Sequence, residues 1–400
     1  MTKQQKTILL LLMIITPCLW AQKKELSQAR SYIKSGKDFD KAEQLMVGLL
    51  KDSANRDNKK IYVTWLEAVR GQYAAGNEKL YLKQNYDTTA FFNLTKRMFY
   101  IAEMLDSLDM QPDSKGRVKP DYREDNARLL DPLRLNLYSG GTYQVRKSDF
   151  KQAYAFFADY LDTDIQPLFT GYQYAEKDSR MVQAAYWATY CGYKLHDAER
   201  TLKYHQMALR LHDKEASTLQ YISEAYSLQQ DQESYLGTLR EGFHKYPENP
   251  YFFPRLADYY KDQGSNDSLL YIADEGLQAN AKNTLFLLAK SIALLNMNRY
   301  GECVLVSREM IAQNDTLPEP YYNIATCNLN QALSLEQLNE PRKYRQQLRT
   351  LYADARPFME KYRKLAPEDK DRWGPALYRI YLHLNMGKQF EEIDNLLRNH

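Results

Sequence analysis

Cysteine, histidine and the short catalytic signatures are scarce or missing in this 400-residue chain. It carries four cysteines and six histidines. Three of the cysteines, Cys191, Cys303 and Cys327, lie beyond the N-terminal segment, separated by 112 and 24 positions, a spacing that matches no metal or redox motif. An odd number leaves at least one unpaired in an oxidising compartment, and Cys303 falls where a small core residue is wanted. His205 and His212 are seven apart with no third ligand in view, so no metal site is expected. There is no Gly-rich phosphate loop, no H-E-x-x-H and no G-x-S-x-G, which predicts a non-enzymatic chain without a cofactor. Charge of one sign is also missing. The 54 basic and 51 acidic residues nearly cancel, which removes the electrostatic footprint of a nucleic-acid or anionic-membrane binder. Beyond the first twenty residues no apolar run approaches the length of a membrane span.

What is present begins with a targeting pattern. Lys3 and Lys6 precede an apolar run from Ile8 to Ile15, followed by Pro17, Cys18, Leu19, Trp20, Ala21 and Gln22. This reads as a signal peptide over residues 1–21, cleaved after Ala21, and predicts export to the periplasm or the periplasmic face of an outer membrane in a Gram-negative cell. Pro17 stands where a lipid-modified signal carries Gly, Ala or Ser, which argues against lipidation at Cys18.

The second half of the chain repeats every 34 positions. Ala208, Gly242, Gly276 and Met310 align, and the same register sets Tyr226 over Tyr260, Ile222 over Leu256, and Ser223 over Ala257 and Ser291. A period of 34 is the length of a stacked helix-turn-helix unit. The unit from Pro250 supplies Phe253, Leu256, Ala257, Tyr260, Gly264 and Gly276, and the unit from Ala216 supplies Leu219, Ile222, Tyr226, Gly242 and Pro247. From Asn298 to Cys303 the chain reads as a turn and the start of a second helix.

On these residues the chain resembles the tetratricopeptide repeat (TPR) superfamily. The resemblance implies an all-α fold, a right-handed α-solenoid of antiparallel helix pairs. Residues 22–400 are expected as one array of eight or nine pairs, irregular over 22–181, regular over 182–325 and irregular again over 326–400. Extra residues at 168–181, a delayed second helix after Asn85–Thr89 and lengthened helices around Pro341 mark the irregular parts. Met110–Pro120 and Asp162–Ser179 read as loop-like linkers, and Arg398, Asn399 and His400 as a polar end.

In such arrays the first helix of each pair lines a concave groove. The positions that resemble that lining carry Tyr138, Tyr186, Tyr190, Tyr193, Glu224, Asp258, Lys261, Tyr322 and Asn330, with Gln183 and Lys194 beside them. Among 33 tyrosines some must fall on any face, yet a tyrosine ring with its hydroxyl suits peptide or glycan contact. Lys and Asn, which family members use to grip an acidic C-terminus, are absent from the matching positions. Leu285, Leu288, Ile292 and Leu295 make the same face apolar one unit on. Five triplets resemble an O-glycosylation acceptor of exported proteins, with Ser53, Thr88, Ser107, Ser268 and Thr316 as acceptors, while Asp-Ser and Asp-Thr also favour turns and helix starts. The expectation is an envelope scaffold that binds a protein or peptide partner along its groove. The rival is an outer-membrane glycan-binding protein of the SusD-like type, which Pro17 and the modest insertions disfavour.

Overall fold

The computed structural model describes residues 22–338 and 340–398. The expected signal peptide, and the Asn399 and His400 part of the polar end, lie outside the described residues. Among the described residues there is no strand. The chain packs as two compact units, dividing between Asp231 and Gln232.

The first unit holds α1 (22–35), α2 (Phe39–Leu49), α3 (Lys59–Tyr81), α4 (Thr88–Asp109), α5 (Arg123–Leu130), α6 (Arg134–Arg146), α7 (Phe150–Asp162), α8 (Tyr174–Lys177), α9 (Arg180–Lys194), α10 (Ala198–Lys203), α11 (His205–Ala208) and α12 (Glu215–Leu228). The second holds α13 (Gln232–Lys245), α14 (Phe252–Asp262), α15 (Asn266–Ala279), α16 (Thr284–Asn296), α17 (Tyr300–Gln313), α18 (Pro318–Gln337), α19 (Pro341–Leu365), α20 (Lys370–His383) and α21 (Gly387–Arg398). Consecutive helices pack on one another within each unit, as in α3 with α4, α6 with α7, α14 with α15 and α18 with α19. Each unit is thus an all-α, TPR-like stack of helix pairs.

The period is written in the backbone of the turns. His196, Gln230, Gly264 and Asn298 all take positive φ, between 52° and 64°, and stand 34 residues apart. Each is the left-handed residue that ends a first helix, and the next N–H reaches back across the last turn: Asp197 to the Gly192 carbonyl at 3.1 Å, Asp231 to Tyr226 at 3.0 Å, Ser265 to Tyr260 at 2.8 Å and Arg299 to Leu294 at 2.9 Å. This closes carbonyls that the helix end would otherwise leave open. Ser148 and Asn385 repeat the device in irregular pairs. Several second helices then start on a side-chain cap, Asp149 accepting from Gln152 N–H at 3.0 Å and Asp197 from Arg200 N–H at 3.0 Å.

Small residues let helices approach. A Cβ added at Gly242 would sit 2.3 Å from the Phe252 ring, and one at Gly276 would sit 2.8 Å from Phe286, so the register places both glycines against the next aromatic. Gly192 is the least forgiving, with its virtual Cβ 2.4 Å from a backbone atom, the nitrogen of Thr201. The three cysteines beyond the N-terminal segment are buried and unbonded. Cys303 and Cys327 share one core cluster with Leu287, Leu294, Val306 and Met310.

One expectation needs correcting. Met110–Pro120 is an exposed turn-rich segment, but Asp162–Ser179 is no linker. Thr163, Leu168, Phe169 and Tyr174 are buried in the core of the first unit, so the extra residues form a packed insertion. The irregular helices have a plainer origin: α3 and α4 run 23 and 22 residues, and α18 and α19 run 20 and 25.

Candidate functional site

In the first unit the leading helices of successive pairs are tied together by tyrosine. Asn136 Nδ2 on α6 donates to Tyr73 Oη on α3 at 2.8 Å. Tyr138 Oη on α6 donates to Gln183 Oε1 on α9 at 3.1 Å. Tyr193 on α9 stacks on Tyr221 of α12, centroids 4.5 Å apart, and Tyr190 meets the same ring at 5.7 Å. Trp187 packs edge-on against both Tyr186 and Tyr190, and Tyr190 packs edge-on against Phe150. Side-chain contacts that involve tyrosine thus join α3 to α6, α6 to α9 and α9 to α12.

The helical repeat explains why these side chains meet. On α9, residues 186, 190 and 193 lie one turn apart on one stripe, and residue 221 of α12 comes up opposite them. Burial is graded along the stripe: Tyr186 is 8% exposed, while Trp187, Tyr190, Tyr193 and Tyr221 are half-buried. Burial, followed by the neighbouring Tyr186 hydroxyl, pushes the Tyr221 phenol well above its ordinary range, so that hydroxyl stays protonated throughout the physiological range. Lys194 Nζ stands 5.7 Å over the Phe150 ring at its edge.

The structure brings Tyr138, Tyr186, Tyr190 and Tyr193 together in this way, with half-buried Glu224 on α12. In the second unit, Asp258 and Lys261 are exposed and pair with each other at 3.0 Å. Tyr322 packs on Tyr362 with the Arg372 guanidinium 3.8 Å from its ring, and Asn330 is half-buried on α18. Of the apolar positions, Leu285 is exposed and Leu288, Ile292 and Leu295 are half-buried. Sequence reading missed Tyr73, Asn136, Trp187 and Tyr221. Trp187 follows directly after the expected lining residue Tyr186, a signal that a fixed list of positions overlooks.

The acceptor-like triplets do not share one structural setting. Asp52 and Asp87 are helix N-caps, which accounts for Ser53 and Thr88 beside them. Ser107 lies inside α4, and the Thr316 hydroxyl donates to Asn314 at 2.7 Å. Ser268 lines a cavity of ≈ 460 Å³ in the second unit between α13 and α15, together with Arg240, His244, Tyr271 and Glu275. Tyr271 is 70% exposed there, and His244 Nδ1 meets Glu275 Oε1 at 2.7 Å. His205 opens α11 and His212 opens a separate short turn; among the described residues no three His, Cys, Asp or Glu side chains gather to hold a metal ion. Among the described residues no helix is long and apolar enough to cross a membrane.

No protein-family model matches this chain, and no curated protein does. Among solved structures, the chain is similar to yeast Tom70, with 14% identity over 92% of this chain and 89% of that one and a TM-score of 0.34. It is also similar to the TPR domain of P58(IPK), with 12% identity over 92% of this chain and 99% of that one and a TM-score of 0.27. The fold assignment itself rests on this chain's own helix pairs and on left-handed turns spaced 34 residues apart.

Proposed function

We propose that this protein is a non-enzymatic scaffold of the cell envelope that binds a protein or peptide through the aromatic face of its first unit. One observation carries the reading: α3, α6, α9 and α12 are joined in turn by side-chain contacts that each involve a half-buried tyrosine, and between α9 and α12 the tyrosine rings stack directly. Half-buried aromatic rings with free edges offer large contact area at low conformational cost, the property that makes Tyr and Trp the usual anchors of binding surfaces. The pre-packed stripe needs little ordering when a partner arrives, and that preserves affinity. Support for the envelope setting comes from the charged and apolar pattern over residues 1–21.

Affinity capture from the native envelope with mass spectrometry tests this reading, comparing wild type with Tyr190→Ala. The expected outcome is a partner recovered with wild type and depleted with the variant, while the two proteins keep matching helical content by circular dichroism. Equal recovery with both would contradict it.

A further inference from the structure

The insertion between α7 and α9 builds a pocket of ≈ 380 Å³ in the first unit. A plain two-helix repeat has no counterpart to it. We propose that this pocket is a carboxylate subsite that takes an Asp or Glu side chain of the bound partner, an inference that rests on the partner-binding reading of the first unit.

Arg134 is the centre of the argument. Its residue is 5% exposed, yet it lines the pocket. The guanidinium carbon lies over two rings, 3.3 Å from the Tyr174 centroid and 4.5 Å from that of Tyr160. Nε donates to Thr163 Oγ1 at 2.9 Å and Nη1 to Asp178 Oδ2 at 3.0 Å, while Nη2 meets only the Met181 thioether at 3.4 Å. A guanidinium has five N–H donors, and a thioether is a weak acceptor. Arg134 therefore retains N–H donor capacity that an incoming carboxylate can use.

The acids in the pocket are already committed. Asp178 Oδ2 also accepts from the Tyr160 hydroxyl, and its Oδ1 accepts from the Arg180 N–H at 3.0 Å. Burial opposes the charge on Asp178, but these donors and Arg134 outweigh it and hold the carboxyl below its ordinary range. Asp131 Oδ1 accepts from the Tyr174 hydroxyl at 2.6 Å. Lys177 and Arg180 stand exposed on the pocket wall, and among the described residues neither forms an ion pair. With two acids engaged and three cations present, the mouth is net positive and complementary to an acid.

Position supplies the register. Arg134 lies one helical turn before Tyr138 on α6, and Arg180 lies three residues before Gln183 on α9, so the pocket adjoins the hydrogen bond that joins the two helices. An acidic side chain seated here would fix where a bound segment starts along the tyrosine face.

The test is saturation-transfer NMR on the full chain with three probes: N-acetyl-glutamate amide, its neutral glutamine counterpart and inorganic phosphate. The glutamate probe should bind at least about tenfold tighter than the glutamine probe and lose that advantage in Lys177→Glu/Arg180→Glu. Both substituted residues are exposed, so melting of the double variant should match wild type; Arg180→Gln, a milder change, should give a partial loss. Equal binding of the two amides, retention in the double variant, or preference for phosphate would each overturn the subsite. Tyr193→Ala should leave probe binding intact. Failure of partner capture with intact probe binding would sink the groove reading alone.

Discussion

Gly192 shows how much a single position can be asked to do. In the 34-residue register it stands where the neighbouring units carry Tyr226 and Tyr260. A tyrosine is impossible there because α10 passes so close that even a methyl group would meet the Thr201 backbone at 2.4 Å. Backbone cannot swing aside as a side chain can, so Gly192→Ala should destabilise the protein by about 2 kcal/mol or more, read as a lowered thermal midpoint. Glu103 is a different kind of residue-scale tension. Burial first, and then the nearby Asp159 and Asp162 carboxylates, lift its pKa to about 7, against an ordinary value of 4.5. The folded state therefore holds a proton that the unfolded chain releases. The associated stability is present below pH 4.5 and is lost as pH rises through about 7. Glu103→Gln should match wild type in urea melts near pH 4 and exceed it at pH 8, by an amount on the order of 2 kcal/mol.

At the scale of elements, the turns carry the clearest information and some of the strain. Gly264 fills its left-handed position without steric strain and Asn298 tolerates it, whereas His196 and Gln230 occupy equivalent positions with side chains that disfavour it. Gln230 is exposed, so Gln230→Gly should raise stability by about 1 kcal/mol, the relief of left-handed strain exceeding the gain in unfolded-state freedom. A shift of the melting midpoint upward in this variant, and none in Gly264→Ala except downward, would mark the turn period as energetic and not only geometric. These elements were legible beforehand to unequal degrees. The glycines at 242 and 276 and the aromatics they meet announce the pairs, because close approach needs a missing side chain at a fixed interval. The 162–179 insertion was opaque. Its Asp, Thr, Gly and Gln residues have the composition of a loop, and only the long-range bonds of Arg134 to Thr163 and Asp178 turn it into packed structure. Nothing local encodes a contact made 29 or 44 residues away.

For the molecule as a whole, the site was half legible. Helical periodicity fixes which residues share a stripe, and so Tyr190 and Tyr193 of α9 meet the same Tyr221 ring while Tyr138 bonds Gln183 on that helix. The same periodicity gave no warning that Tyr186 would be buried beneath Trp187 and Tyr221, because coverage depends on how neighbouring pairs close together. In the second unit the counterpart residues take another character: Asp258 and Lys261 neutralise each other and Tyr322 lies under Arg372. This contrast directs the binding proposal to the first unit. Site-specific photo-crosslinking in the native host tests it most directly, with the crosslinking side chain placed at Tyr193 on the aromatic face or at exposed Tyr100 on α4. The account predicts a discrete protein or peptide adduct from Tyr193 and none from Tyr100. Adducts from Tyr100 alone, or from neither position, would contradict it.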